Sequence, residues 1–229
     1  MLSTLIVDRP DVLAHHPIGA STGYMETIRG DWPALVTQAV EFSHFATELS
    51  VLSESEVEGL ETYLAAQPTL PFRYLSIHGP SKGRVMTEDD LVAALLRLST
   101  RAEAIVMHPD TIENPKPFLA LDRTLVLENM DAGKGDGCTV GQLARWFSAL
   151  PAAGFCFDIA HAWSLDPTMG LAGELLDMFR SRLRHVHISS LSPELHHVPV
   201  TEENEVLFMP VLERCLDVPW IFEAPPRDY

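Results

Sequence analysis

The sequence predicts an α/β chain of the compact (β/α)8 TIM-barrel class, a single domain over residues 1–229 that is trimmed after its fourth strand. Three observations carry that expectation. Short β-rich runs ending in polar residues alternate eight times with longer amphipathic runs, the pattern of parallel strands joined by helices. Eight units in 229 residues leave about 29 residues each, near the lower limit for a barrel and too few for an open doubly wound sheet. No GxGxxG or GxxxxGK segment follows any run, which argues against a nucleotide-binding sheet.

The first strand is expected over Ile18 to Tyr24, and Asp31 then caps a helix that carries Pro33 in its first turn and Leu35, Ala39 and Phe42 on one face. The second strand, Phe45 to Val51, is followed by Ser53 and Glu56 at capping-box spacing and a helix burying Val57, Leu60 and Leu64. Phe72 to His78 forms the third strand, and a helix with Leu91, Leu95 and Leu98 inward begins near Thr87. After the fourth strand, Ala104 to His108, the segment DTIENPKPFLALDRT holds two prolines and leaves room only for a short or irregular helix. The remaining strands are Leu125 to Glu128, Phe155 to Asp158, His185 to Ser189 and Trp220 to Glu223. Between them lie helices around Leu143 to Leu150, from Leu171 to Leu183, and around Val206 to Leu216.

Composition narrows the function. The chain is 46% hydrophobic and carries 32 Asp and Glu against 16 Lys and Arg, a net charge of -16. That excludes a disordered chain and opposes a polyanionic partner such as nucleic acid. Cys138, Cys156 and Cys215 form an odd set without CxxC spacing, which indicates neither a disulfide framework nor a cysteine zinc site. The first residues, MLSTLIVDRPDV, lack the layout of a signal peptide, and no run is long enough to cross a bilayer, so a cytoplasmic location is expected.

Catalysis in a barrel takes place at the carboxyl ends of its strands. Those ends bear Glu48, His78, His108, Glu128, Asp158 with His161 one turn on, His187, and Glu223. All are candidate metal ligands. In the plainer alternative the carboxylates cap helices and the histidines are hydrogen-bonded in the barrel wall. Glu128 in LVLEN and Glu223 in WIFEA end runs buried on both faces, where an unpaired carboxylate is costly without a cation or donor. Asp158 in FCFDIAH is similar, although it also suits a cap. His187 and His185 share a face, with His187 nearer the catalytic end and His185 deeper. His196 and His197 follow strand seven on the catalytic side, whereas His15, His16 and His44 lie away from it.

The ordered motifs TELS, LSIHGP, IVMHPD, LVLENMD, CFDIAHAW, HVHISS and IFEAPP resemble those of the xylose-isomerase-like TIM barrels, which include sugar isomerases and epimerases and the endonuclease-IV-type apurinic-site nucleases. The resemblance implies a metal site of Glu128, Asp158, His187 and Glu223, with Glu128 and Glu223 as catalytic base and acid. Three oxygens and one imidazole suit Mn2+, Co2+ or Mg2+. The resemblance further implies that His161 acts in catalysis and helps bind the substrate, to which His197 and Glu48 are expected to contribute. Resemblance to the nuclease branch implies instead a site of His78, His108 and Glu128, and a further one containing His161 and His197, with zinc as the metal. Leu195 stands where that branch has an aspartate, and Ser190 and HVPVTEEN replace the acidic and glycine-rich elements that the sugar branch has after strand seven.

The expected function is a divalent-metal-dependent isomerase or epimerase of a small polyhydroxylated or sugar-phosphate-like substrate. The alternatives are an endonuclease-IV-like phosphodiester hydrolase and a barrel that binds metal or ligand without turnover. The expected partner is a small-molecule substrate, with a homo-oligomer open and neither nucleic acid nor membrane expected.

Overall fold

A computed structural model of the chain describes residues 16–226. The N-terminal stretch with His15 lies outside the described residues, as do residues 227–229 of the expected domain. Eight parallel strands close a barrel in the order β1 (Ile18–Ser21), β2 (Ala46–Ser50), β3 (Tyr74–His78), β4 (Ala104–Met107), β5 (Leu125–Glu128), β6 (Gly154–Asp158), β7 (Leu183–Ile188) and β10 (Trp220–Phe222), which pairs back onto β1. A two-stranded antiparallel hairpin, β8 (Ser190–Leu191) and β9 (His197–Val198), rises from the catalytic end of β7.

Local chemistry sets where the helices begin. Asp31 accepts from the Ala34 amide at 3.0 Å and starts α1 (Trp32–Phe42), with a proline in the first turn. Ser53 and Glu56 form the expected capping box, which opens a 3-10 turn leading into α2 (Val57–Ala65). Thr87 caps α3 (Glu88–Ser99), whose first turn carries three acidic residues. The connection after β4 is trimmed as expected, with 3-10 segments over Pro109–Thr111 and Pro117–Thr124 in place of an α-helix. Phe118 and Leu121 take over its covering role, 0% and 2% exposed. A second capping box, Thr139 with Gln142, opens α4 (Val140–Ala149).

Three expectations need correction. The first strand ends at Ser21, whose hydroxyl accepts from the Gly23 amide and folds residues 22–24 into a 3-10 turn. An unexpected helix, α5 (Ile159–Leu165), follows β6 directly, and the helix expected over Leu171 to Leu183 is α6 (Gly170–Phe179), which stops short because Arg180–Arg182 forms a 3-10 turn. The last helix, α7 (Glu202–Leu212), begins four residues before Val206 because Thr201 accepts from the Asn204 amide.

The main hydrophobic layer lies between barrel and helices, where Leu49, Ile77, Ile105, Leu127, Phe155 and Phe157 of the strands meet Leu35, Leu60, Leu95, Leu143, Leu175 and Phe208. Inside the barrel the filling is polar. Glu48, Ser76, His185 and His187 are all fully buried there, around a small apolar cluster of Ala104, Val106, Val126 and Cys156. The three cysteines are buried and unpaired. Among the described residues no helix is long and apolar enough to cross a membrane.

Candidate metal centre

Six strand ends bring their polar side chains to one place. Glu128, at the last position of β5, is 1% exposed, and its Oε2 lies 3.4 Å from Nε2 of both His78 and His108. Those two imidazole nitrogens are only 3.0 Å apart and both face the same carboxylate oxygen. Across the barrel, Nδ1 of His187 lies 3.5 Å from Glu128 Oε2 and 3.4 Å from Glu223 Oε1. His161, on the first turn of α5, turns its Nδ1 toward the Asn129 carbonyl at 2.9 Å and Glu128 Oε1 at 3.2 Å.

Asp158 does two jobs. Its Oδ1 accepts from the His161 amide at 2.6 Å and so caps α5, which places His161 one turn above the strand end. Its Oδ2 is buried without a hydrogen-bond partner, as are Glu128 Oε2, His187 Nδ1, His108 Nδ1 and Glu223 Oε2. Each such orphan costs on the order of 1–3 kcal/mol, more for a charged group. A cation among them would offset that cost, because all but the His108 nitrogen belong to residues of one donor group.

The donors fall into groups whose ligand atoms all lie within 4.8 Å of one another: His78, His108 and Glu128; Glu128, Asp158, His187 and Glu223; and Asp158, His161 and His197, with a further group of Cys156, His185 and His187 that shares His187. Glu128 belongs to the first two and Asp158 to the second and third. The donor chemistry therefore fits divalent ions held by imidazoles and carboxylates, and the first group, with two imidazoles to one carboxylate, is the zinc-like one. Leu195, held at a φ of 63°, contributes no donor to the third group.

Charge follows the same geometry in the metal-free chain. Burial alone would favour neutral side chains, yet His187 and His108 hold the Glu128 carboxyl well below its usual range. Against its own burial, the surrounding acidic groups raise His161, to about 10, with Asp158 and Glu128 the main causes. Glu223 moves the other way: burial raises it well above the ordinary value, and Asp158 and Glu128 add to the effect. Burial lowers His197 to about 4.

The expected site residues His78, His108, Glu128, Asp158, His161, His187, His197 and Glu223 thus share one lining. Glu48 does not join them. It pairs in register with Ser76, two residues deeper than His78, accepts from the Ser76 hydroxyl at 2.9 Å, and lies 3.2 Å from His187 Nε2. The expectation that Glu48 meets substrate is corrected accordingly: it buttresses His187 from beneath, which leaves Nδ1 of that ring facing Glu223. His185 is the deeper residue expected, bonded through Nδ1 to the Tyr74 hydroxyl at 2.7 Å and held neutral by burial, its pKa lowered to about 3.

Residues the sequence does not single out complete the site. Asn129 donates to the Asp158 carbonyl and accepts from the Asp158 amide, both at 2.8 Å, which locks the ends of β5 and β6 together. Its signal is a fully buried asparagine directly after a strand-end glutamate, a position that must be satisfied by hydrogen bonds. Ser189 Oγ lies 2.7 Å from Nδ1 of His197 and fixes that ring on the hairpin.

The fold is a TIM barrel, and a family model described as xylose isomerase-like TIM barrel matches residues 118–224, a little under half of the chain. Among solved structures, the chain is similar to endonuclease IV from Thermus thermophilus, with 20% identity, 93% of each chain covered and a TM-score of 0.57. It is also similar to a protein from Anabaena variabilis provisionally assigned as a sugar phosphate isomerase/epimerase, with 13% identity, 91% of this chain and 84% of that one, and a TM-score of 0.50. A third is a protein of Bacillus anthracis provisionally assigned as a 3-DHS dehydratase of petrobactin synthesis, with 13% identity, 84% and 86% covered and a TM-score of 0.51. At these identities the likeness establishes the fold. No curated protein sequence matches the chain.

Proposed function

We propose that the chain is a divalent-metal-dependent enzyme with a two-ion centre bridged by Glu128, and that it hydrolyses an ester bond in a small substrate. The observation that carries this reading is the membership of Glu128 in two ligand groups, one completed by His78 and His108, the other by Asp158, His187 and Glu223. Divalent ions held by these residues would supply electrophilic polarisation of a substrate oxygen and lower the pKa of water for attack at neutral pH.

The chain's own groups do the rest. Glu128 places one anionic carboxylate between two sets of donors, and its low pKa keeps it ionised. Asn129 and the Asp158 cap fix the second set to the barrel wall, and Glu48 turns His187 so that Nδ1 faces that set. Burial keeps the Glu223 carboxyl protonated in the metal-free chain; with cations bound it would ionise, and its unpartnered Oε2 would then take up a proton from water and pass it to the leaving oxygen. His161 and His197, with ring centroids 5.2 Å apart, flank the lining and orient the substrate. The net charge of -16 supports a small substrate over DNA, whose backbone it repels.

A second reading, isomerase or epimerase of a small polyhydroxylated substrate, is favoured by a different observation. Glu128, Asp158, His187 and Glu223 alone form a one-ion donor set of three oxygens and an imidazole, which leaves two glutamates as base and acid for a proton moved at neighbouring carbons. Elemental analysis of protein purified without added metal separates the two, read together with substrate panels. About two zinc ions per chain with release of nitrophenol from nitrophenyl phosphate esters supports hydrolysis. About one manganese or cobalt with interconversion of ketoses and aldoses by NMR supports the isomerase. A chain that binds no ion, and in which Glu128→Gln and Glu223→Gln change nothing, is a non-catalytic barrel.

A further inference from the structure

At the opposite end of the barrel, where the strands begin, a cavity of about 310 Å3 opens between the start of β5, the turn before β6 and the start of β7. Arg123, Arg182 and Arg184 line it, with Asp122 as its one carboxylate. That surplus of positive charge is unusual for this chain, which has twice as many acidic as basic residues. Six arginines elsewhere pair with carboxylates, Arg29 with Glu56, Arg84 with Glu54 and Glu88, Arg97 with Glu61, Arg145 with Asp136, Arg180 with Asp217 and Arg214 with Asp177, while Arg101 donates to the Leu64 and Pro68 carbonyls and Arg73 lies over the Phe45 ring.

The three at the cavity have no such partner among the described residues. Arg182 is fixed in place, its Nη1 donating to the carbonyls of Pro151 at 2.7 Å and Ala153 at 2.9 Å, and its guanidinium lying 4.9 Å over the Phe147 ring. The rest of its fork is unbonded, and the side chains of Arg123 and Arg184 make no ion pair or hydrogen bond with the described residues. Gly154 keeps the wall open, because a Cβ there would stand 2.7 Å from Arg184 Cγ. Converging guanidiniums repel one another and match the oxygens of a phosphate in fork geometry, so an anion offsets the cost of gathering them.

We propose that this cavity is a binding site for a phosphate-bearing small molecule, separate from the metal centre and independent of the reaction assigned to it. Its volume, at the lower end for small-molecule sites, suits a ligand of one ring with a phosphate. Binding is tested by titrating the 15N-labelled chain with pyrophosphate and with ribose 5-phosphate at constant ionic strength. The expected result is saturable shifts of the Ala152, Ala153, Gly154 and Ser181 amides. The double variant Arg123→Glu and Arg184→Glu, two exposed positions whose exchange leaves the fold intact, is expected to weaken them at least about tenfold. No saturable shift at those amides, shifts confined to Asn129 and His161 at the metal end, or equal binding by the double variant would each overturn the proposal.

Discussion

Replacing Glu128 by glutamine tests the bridge directly. Glutamine keeps the shape of the side chain and one carbonyl oxygen, but loses the negative charge that stands 3.4 Å from His78 and His108 and 3.5 Å from His187. At an ion concentration of 100 times Kd, each bound ion adds about 2.7 kcal/mol to stability. Two ions therefore add about 5 kcal/mol, which at roughly 2–4 °C per kcal/mol for a chain of this size raises Tm by about 10–20 °C.

If Glu128 serves both ligand groups, Glu128→Gln cuts the ion count from two to one at most, and the metal-induced rise in Tm falls to about 5–10 °C or less. Differential scanning calorimetry with and without ion, beside elemental analysis of the same samples, provides the measurement. Each protein is compared with its own metal-free form. The cost of leaving the surrounding imidazoles without their counter-charge, on the order of 3–5 kcal/mol for a broken buried pair, then cancels. A variant that retains two ions and the full rise would refute the bridging role.

Other consequences reach beyond the bridge. In metal-free protein the raised pKa of His161 contributes stability that is complete below its ordinary value of 6.5 and lost as pH climbs toward about 10. The stability gap between wild type and His161→Gln is therefore expected to be widest near pH 6 and to close by pH 10, as read by urea unfolding with chelator; a gap that widens with pH would contradict the assignment. Gly19→Ala sets a Cβ 2.3 Å from the Ala46 carbonyl oxygen at the barrel seam, a backbone clash no rotamer relieves, and is expected to cost more than about 3 kcal/mol in the same assay. Phe118→Ala, in the 3-10 segment that stands in for a helix, is expected to cost about 3–5 kcal/mol if that segment seals the barrel wall.

What the sequence reveals of this molecule follows from which physical signals are local. Asp31, Ser53 with Glu56, and Thr87 mark helix starts because a cap acts within three residues, and the buried runs LVLE and WIF stand out because both their faces are apolar. Helix α5 is hidden because Ile159, Ala160, His161 and Ala162 are all buried, which erases the helical periodicity a surface helix shows. The two-residue strands β8 and β9 are too short to carry any period at all.

The site divides along the same line. Alternation along a strand tells which side chains point inward, so the ring of candidate ligands can be read in order around the barrel. It does not tell depth, which the stagger of neighbouring strands decides. Glu48 and His78 both point inward from adjacent strands, yet the register pairs Ser50 with His78 and leaves Glu48 one layer lower, against the far nitrogen of His187. The sharing of Glu128 is of the same kind: it depends on two histidines from β3 and the end of β4 converging to 3.0 Å over one oxygen, a distance set by strand stagger. A ligand list drawn from strand ends thus counts the donors but not the ions they could hold. That is why the metal count, and with it the choice between hydrolysis and isomerisation, rests on Glu128.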